Sequence, residues 1–280
     1  MIAFVQSPFQ VFGVLEYPVE CRKLFVRFSD EQNDIQLQNS IQFLDLNTKI
    51  VVLKKPTSLK LLFQWVYCFI DMNLSSDRPL FGGSDSKLKY FIPRRIELDD
   101  GLYSLKLIRE GRDKRLFSFF KVDTEYSHSF EVLRGMISRD CNRVFGGDYL
   151  IGQPFVEAKH CSQEEYVRVV VNVKANNPHL STYIAHRTEG NDKLKIIRAR
   201  GLHVIRPDLP LELFFLKNGI MPNRVYGFNS TSLITLKHLY QTTIVSINWP
   251  DLLKTSTRPL DFKFATSYVL DRSDEVIWVK

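Results

Sequence analysis

Strand-like and helix-like segments alternate along both halves of the chain, and this alternation limits the fold more than any other feature of the sequence. Short apolar runs mark strands at residues 2–6, 24–28 and 50–53, and again at 181–185, 203–205, 224–228 and 243–247. Helical patterns lie between them at residues 30–43, 162–173, 192–200, 210–217 and from 230 to about 240. Alternation of this kind predicts parallel sheets that are covered by helices on both faces.

A glycine pair, Gly146-Gly147, stands between the two series and marks a domain boundary. We therefore predict an α/β protein with two Rossmann-like domains, residues 1–145 and 146–280, that face a central cleft. Ligands of open parallel sheets bind beyond the carboxyl ends of the strands. Candidate site residues are therefore those that directly follow a predicted strand.

Length and charge limit the class of partner. The chain has 280 residues, enough for two medium-sized domains, and a net charge of +7 with a pI near 9.1. A basic protein of this kind favours an anionic partner: a nucleotide, a nucleic acid or a negatively charged membrane surface. Because the positive residues are spread out and no nucleic-acid-binding signature is present, we predict no nucleic-acid partner.

Cysteine usage and hydropathy indicate the compartment. The four cysteines, Cys21, Cys68, Cys141 and Cys161, have no short Cys-x-x-Cys spacing, which favours the reducing cytosol over a disulfide framework or a zinc module. The N-terminus lacks the features of a signal peptide. The longest apolar segment, residues 59–70, is too short to span a membrane and predicts a helix buried on most sides. We expect a cytoplasmic protein, with peripheral contact to an anionic inner membrane as a further option.

An acidic pair ends a predicted strand in the first half. Asp99-Asp100-Gly101 follows an apolar run that includes Ile96 and Leu98. Consecutive strand residues point to opposite faces, so one carboxylate can enter a cleft where desolvation raises its pKa toward the range of a general base. Asp100, next to the flexible glycine, is the preferred base and Asp99 the alternative. A plain turn also explains Asp-Gly at this position.

Basic and aromatic residues are interleaved just after this pair. Arg112, Lys114 and Arg115 precede Phe117, Phe119 and Phe120. A solvated basic face beside core aromatic residues would explain the pattern. The alternative, which we predict, is contact with an anionic acceptor or an anionic membrane.

Four places in the second half follow a strand or open a helix. They are Gly152-Gln153, His186-Arg187, Glu212 at the start of a helix, and Ser230-Thr231-Ser232 at the start of another. Helix N-termini, hydroxyl groups and a histidine-arginine pair all suit a phosphate group. Each also has a structural explanation, such as a cap for Ser230 or packing for His186. Their shared position at strand ends predicts a site for the phosphate of a donor.

The order of these motifs resembles that of the bacterial sialyltransferases of the polysialyltransferase and lipooligosaccharide α-2,3-sialyltransferase group (glycosyltransferase family 52). The matching residues are Asp99-Asp100-Gly101, His186 and Ser230-Thr231-Ser232, and Ser7-Pro8-Phe9-Gln10 is similar to the family's opening. The residue after the histidine is Arg187, where the family has proline. The resemblance implies a GT-B fold and transfer of sialic acid from CMP-sialic acid with inversion. The acidic motif would then supply the base, and His186 with Ser230 and Thr231 would hold the departing phosphate.

The resemblance also implies the partners: a CMP-sugar donor and a glycan or glycolipid acceptor. We expect no cofactor and no metal, since a monophosphate leaving group needs less charge neutralisation than a diphosphate and the sequence has no Asp-x-Asp triplet. Two alternatives stay open. One is a GT-B transferase that uses CMP-Kdo or a UDP-hexose, and the other is a non-catalytic nucleotide- or carbohydrate-binding protein. The sequence leaves the acceptor and the oligomeric state open.

Overall fold

A computed structural model of the chain describes residues 1–83, 87–112, 114–120, 126–139, 143–255 and 259–279. The chain divides into two compact units. Unit 1 contains Met1–Met136 and Asp208–Pro210, and unit 2 contains Ile137–Pro207 and Leu211–Lys280. The division falls nine residues before the boundary at 145 that the glycine pair suggested.

Unit 1 is built on a parallel six-stranded sheet. Its strands are β1 (Ile2–Val5), β2 (Lys23–Arg27), β3 (Lys49–Leu53), β4 (Leu80–Phe81), β5 (Ile96–Leu98) and β6 (Leu116–Phe117), in the order β3-β2-β1-β4-β5-β6. Its helices are α1 (Pro8–Glu16), α2 (Glu31–Phe43), α3 (Leu59–Leu74) and α4 (Leu102–Arg109), with a 3-10 turn at Lys87–Phe91, and the division between the units falls within α5 (Glu131–Arg139). This is the doubly wound order of a Rossmann-like domain, which reverses direction between β1 and β4.

The central strand and α3 form the core of unit 1. Phe4 of β1 pairs in register with Phe25 and Phe81 on its two neighbours, and all three rings are buried. Trp65 and Cys68 of α3 pack against this group. The opposite face of α3 is exposed, so the prediction that this apolar helix is buried on most sides is wrong.

Unit 2 repeats the same sheet order. Its strands are β7 (Val144–Phe145), β8 (Asp148–Ile151), β9 (Leu180–Ile184), β10 (His203–Ile205), β11 (Ile220–Met221), β12 (Arg224–Gly227), β13 (Thr243–Asn248) and β14 (Glu275–Trp278). Its helices are α6 (Gln163–Ala175), α7 (Asn191–Ala199), α8 (Leu211–Lys217), α9 (Thr231–Tyr240), α10 (Pro250–Thr255) and α11 (Pro259–Leu270). The main parallel sheet runs β10-β9-β8-β12-β13-β14, and β7 pairs with β11 separately. The predicted α/β alternation is confirmed.

Local capping signals explain why the helices begin and end where they do. Ser162 Oγ accepts the Glu165 N–H at 3.2 Å, and Glu165 Oε2 accepts the Ser162 N–H at 2.8 Å, so the predicted capping box starts α6. Gly201 has a φ of +80° just after α7, which is the left-handed geometry that ends many helices. No helix within the described part of the chain is long and apolar enough to cross a membrane.

Candidate functional site

Asp99, the first residue of the acidic pair, turns into the interior of unit 1 at the end of β5. It is 1% exposed, and its carboxylate accepts hydrogen bonds from Ser118 Oγ at 2.6 Å, from the Phe119 N–H at 3.1 Å and from Ser104 Oγ. Burial raises the pKa of Asp99 to about 7, although these three donors act in the opposite direction. The group has the pKa of a general base, but no acceptor hydroxyl can reach it.

Asp100, the second residue, lies half-buried at the carboxyl edge of the same sheet. Its Oδ1 accepts a hydrogen bond from Ser7 Oγ at 2.9 Å, and its N–H donates to Ser104 Oγ at 3.0 Å. Gly101 follows with a φ of +68°, the left-handed conformation that an Asp-Gly turn requires. Of the two carboxylates, Asp100 is therefore the one that a substrate can touch.

A glutamine holds the loop after β1 beside this edge. Gln10 is 1% exposed, and its Oε1 accepts the N–H groups of Gln6 at 2.8 Å and Ser7 at 3.2 Å. A Cβ atom at Gly82, which follows β4, would lie 2.2 Å from that Oε1. Only glycine fits there, so β1 and β4 approach closely at the reversal point of the sheet. A glycine pair directly after a strand, here Gly82-Gly83, is the sequence signal of such an approach.

Two of the three aromatic residues predicted to contact acceptor or membrane, Phe117 and Phe120, belong to the core. Phe117 is 2% exposed and Phe120 is 8% exposed. Phe119 is half-buried, with its ring centroid 4.8 Å from that of Phe130. The ring of Phe117 stacks on His128 at 4.8 Å. Core packing therefore explains Phe117 and Phe120, whereas the predicted contact of Phe119 stays a prediction.

The basic residues of that prediction are exposed but lie away from the acidic pair. Arg112 pairs with Glu110 at 3.2 Å, and Lys114 and Arg115 are also exposed. Arg115 donates from Nη1 to the carbonyl of Pro93, which precedes β5. Helix α4 has carried the chain back to the amino ends of the strands, so nearness in sequence to Asp100 does not become nearness to its edge. These three residues therefore lie at the opposite end of the strands from Asp100, and their predicted contact with acceptor or membrane stays a prediction.

In unit 2, Gly152 and Gln153 follow β8 over a buried polar cluster. A Cβ atom at Gly152 would lie 2.2 Å from Glu189 Oε2 and 2.3 Å from Tyr183 Oη. The Gln153 N–H donates to Tyr166 Oη at 2.9 Å. These contacts fix the loop after β8 and leave no room for a side chain at Gly152.

The centre of this cluster is Lys193, a lysine of α7 with a fully buried side chain. Its Nζ lies 2.7 Å from Glu189 Oε1 and 2.9 Å from Glu157 Oε2, and it donates to the Gln153 carbonyl at 3.2 Å. Tyr183 Oη donates to Glu189 Oε1 at 2.6 Å. Sequence reasoning missed Lys193, because nothing in its local pattern distinguishes it from Lys195, the exposed lysine of the same helix.

His186 and Arg187 follow β9 and are half-buried. The His186 N–H donates to Glu189 Oε2 at 2.6 Å, so the buried cluster also fixes this strand end. Burial first, then the positive charges of Arg187 and Lys193, lower the pKa of His186 to about 4. The imidazole is neutral near pH 7. Its Nδ1 lies 2.9 Å from Thr188 Oγ1 and accepts the Thr188 N–H at 3.3 Å, and a ring proton on Nε2 fits both contacts.

The hydroxyl residues of the donor prediction lie at the start of α9, after β12. Ser230 caps the helix, with its Oγ accepting the Ser232 N–H at 3.3 Å, and Thr231 is half-buried. Glu212 is different. Its side chain is buried and accepts the hydroxyl hydrogen of Thr235, which links α8 to α9. Glu212 was predicted to contact the donor directly. Its side chain instead forms a contact between two helices.

The sheet order determines which of these residues are neighbours. Strand β8 lies between β9 and β12, so the Gly152 loop separates His186 from Ser230. Adjacent strands are about 4.8 Å apart, which puts the two outer strands roughly 10 Å from each other. The residues after β9 and those after β12 therefore lie on the two sides of the loop after β8. Within the described residues, no three His, Cys, Asp or Glu side chains group as metal ligands would.

Comparison with known proteins gives the class of fold. No protein-family model matches the chain, and no curated protein sequence matches it. Among solved structures, the E. coli heptosyltransferase WaaC with ADP aligns over 100% of this chain and 94% of its own, at 9% identity and a TM-score of 0.50. The α/β-galactoside α-2,3-sialyltransferase of Photobacterium phosphoreum aligns over 99% and 97%, at 10% identity and a TM-score of 0.46.

A 2,6-sialyltransferase of Photobacterium sp. JT-ISH-224, solved with CMP and lactose, aligns over 99% of this chain and 78% of its own, at 11% identity and a TM-score of 0.47. These are similarities of fold. Together with the doubly wound order of both sheets, the match to the heptosyltransferase shows that the chain has a GT-B-like α/β fold, which confirms the predicted fold class.

Proposed function

We propose that the chain is an inverting, metal-independent glycosyltransferase that moves sialic acid from CMP-sialic acid to a hydroxyl group of a glycan, of lipooligosaccharide, O-antigen or capsule type. The observation that carries the proposal is the split of the acidic pair. Asp100 is accessible at the carboxyl edge of its sheet and is bonded to Ser7, whereas Asp99 is buried behind it. The GT-B-like fold supports glycosyl transfer by analogy. The short motifs quoted above support CMP-sialic acid as the donor.

In this mechanism Asp100 accepts the proton of the acceptor hydroxyl. The oxygen of that hydroxyl forms the new bond to the anomeric carbon as the bond between this carbon and the phosphate oxygen breaks. The electron pair of the broken bond leaves on CMP, and attack from the opposite face inverts the configuration. Asp99 does not touch the substrate. It acts through Ser104, whose Oγ receives the Asp100 N–H.

The negative charge that develops on the CMP phosphate is met by groups of unit 2. Arg187 supplies a permanent positive charge, and the neutral His186 donates through Nε2–H. The N–H groups at the start of α9 add the positive end of a helix dipole. Bound phosphate favours the charged imidazole and so raises the pKa of His186 from the low value of the free protein.

A second candidate function is transfer of a different activated sugar, for example from CMP-Kdo or a UDP-hexose. The GT-B-like fold, which a heptosyltransferase solved with ADP also has, supports this candidate as well as the first. A third candidate, a non-catalytic nucleotide- or carbohydrate-binding protein, would use the unit 2 residues alone and leave Asp100 without a role.

Two measurements separate these candidates. Thermal unfolding is followed with CMP, UDP and ADP, and a ligand at a hundred times its dissociation constant adds about 2.7 kcal/mol of stability. We expect CMP to raise the melting temperature and UDP to leave it unchanged. CMP-sialic acid, CMP-Kdo and UDP-hexoses are then incubated with galactoside and sialoside acceptors in EDTA, and products are identified by mass. Stabilisation by UDP or ADP alone supports the second candidate, and binding without any product supports the third.

A further inference from the structure

Helix α3 presents a stripe of exposed apolar side chains. Leu59, Phe63, Ile70 and Leu74 are 73%, 68%, 52% and 80% exposed. Their spacing of four, seven and four residues puts them on one side of the helix. Leu62, Val66 and Tyr67 lie within the same stripe and are also exposed. The helix is thus apolar on two faces, of which the sheet of unit 1 covers one.

The 3-10 turn extends this stripe at one end. Tyr90 and Phe91 are exposed, and Asn73 Nδ2 donates to the Phe91 carbonyl at 2.8 Å. A groove of about 340 Å³ lies between the turn and the helix, lined in part by Ile70 and Leu74. A helix of this length runs for about 24 Å. Exposed apolar patches of this extent mark interaction surfaces in soluble proteins. We call the exposed residues of α3 with Tyr90 and Phe91 the α3 surface.

Positive charges lie around the α3 surface. Lys54 and Lys55 are exposed just before the helix, and the Trp65 indole N–H donates to the Lys54 carbonyl at 2.8 Å, which holds this loop against α3. Lys60 is exposed in the first turn. Arg94 is exposed beyond the other end and donates to the Ser76 carbonyl at 3.1 Å.

The acidic charge of this region is compensated. The sequence of α3 has one acidic residue, Asp71, and its carboxylate is paired with Lys23. The charge that a partner meets at the rim of the α3 surface is therefore positive.

We propose that the α3 surface docks the protein on an anionic lipid bilayer. An apolar helix face with flanking lysines and tyrosines is the arrangement that lies in the interface of a membrane, where apolar side chains enter the acyl region and cations contact headgroups. A second copy of this chain fits less well, because the same cations would face each other across the contact. We thus assign the membrane contact to the α3 surface in place of residues 112–120. This assignment does not depend on which activated sugar is the donor.

The test is flotation of the purified chain with vesicles of phosphatidylcholine, with and without phosphatidylglycerol. We expect binding to the anionic vesicles that falls as salt rises. The double variant Phe63→Gln, Ile70→Gln keeps the buried face of α3 and should lose at least about tenfold in partitioning, from the apolar area that no longer enters the membrane. The triple variant Lys54→Gln, Lys55→Gln, Lys60→Gln should lose the preference for phosphatidylglycerol.

Phe145→Gln in unit 2 is the matched control, because Phe145 is 79% exposed and lies outside the α3 surface. It should partition like the wild type. Equal binding by the wild type and the Phe63→Gln, Ile70→Gln variant overturns the proposal, as does no binding of the wild type to anionic vesicles. The wild type could instead form a dimer and bind no vesicles, while the Phe63→Gln, Ile70→Gln variant is monomeric. That result assigns the α3 surface to contact with a second copy. Transfer to a soluble acceptor should be unchanged in the variant, so this proposal and the enzymatic one fail separately.

Discussion

The Asp99→Asn substitution should remove a pH dependence of stability that the wild-type protein shows between about pH 4 and pH 7. Burial raises the pKa of this carboxyl from 3.8 in a solvated chain to about 7 in the native state. Between these values the native protein holds a proton that the unfolded chain has released. Stability is therefore highest below about pH 4, falls as the pH rises through this window, and becomes constant above about pH 7.

The size of the effect follows from the two pKa values. The difference between 3.8 and about 7, at about 1.36 kcal/mol for each pH unit, amounts to about 4 kcal/mol. Asparagine has nearly the same shape and cannot ionise. Its oxygen can accept from Ser118 and Phe119, and its amide group can donate to Ser104. We therefore expect the wild type to lose about 4 kcal/mol relative to Asp99→Asn as the pH rises from 4 to 7.

Urea unfolding at a series of pH values measures this difference. Of the three tryptophans, Trp65 lies in unit 1, whereas Trp249 and Trp278 lie in unit 2. With the latter two replaced by phenylalanine, the fluorescence of Trp65 reports the unfolding of unit 1. Other raised carboxyl groups, such as Glu212, contribute equally to both proteins and cancel in the difference. The error of such a comparison is about 1 kcal/mol. If the difference in free energy of unfolding between the wild type and Asp99→Asn stays constant within this error from pH 4 to pH 8, Asp99 is already ionised in the native state.

Three further predictions concern the proposed site. Asp100→Asn should lower kcat by about 10²–10⁴ without a change in melting temperature, and normal turnover of this variant would place the base elsewhere. Lys193→Met should destabilise unit 2 by about 3–5 kcal/mol and weaken CMP binding, because Glu189 is left as a buried, unpaired charge. Adding Glu189→Gln should restore part of the stability, and a double variant no more stable than Lys193→Met contradicts the pairing. Charge reversal at Arg112 and Arg115 should change neither CMP affinity nor transfer to a soluble acceptor, and a loss of acceptor affinity would return this loop to the site.

The elements of the fold could be predicted because their signals are local. The capping box at Ser162 and the left-handed Gly201 each depend on residues within a few positions of the helix end. Strand β1 is a continuous apolar run with every residue buried, as expected for a central parallel strand. The two-residue strands β4, β6, β7 and β11 were missed, since two residues are too few to show a pattern, and the four-residue strand β14 was missed as well.

The details of the site depend on residues far apart in sequence and could not be predicted in this way. The buried carboxylate of the acidic pair, Asp99, is bonded to Ser118, which lies nineteen residues away just after β6. The burial of Phe117 and the exposure of Arg115 follow from the return of the chain along α4. The apolar composition of α3 could not predict that the sheet of unit 1 covers only one of its faces, because the exposed face is as apolar as the buried one.

Both sheets use a buried carboxyl group to orient an accessible residue at a strand end. In unit 1, Asp99 accepts from Ser104, and Ser104 receives the N–H of Asp100. In unit 2, Glu189 receives the N–H of His186 directly. Burial disfavours the charged form of both carboxyl groups and so raises the pKa of each. This is a cost in stability that a purely structural contact would not need. Such a cost is expected where the position of a neighbouring side chain matters more than the stability of the fold. The two residues positioned in this way, Asp100 and His186, are the ones that the proposed reaction requires to move the acceptor proton and to bind the leaving phosphate.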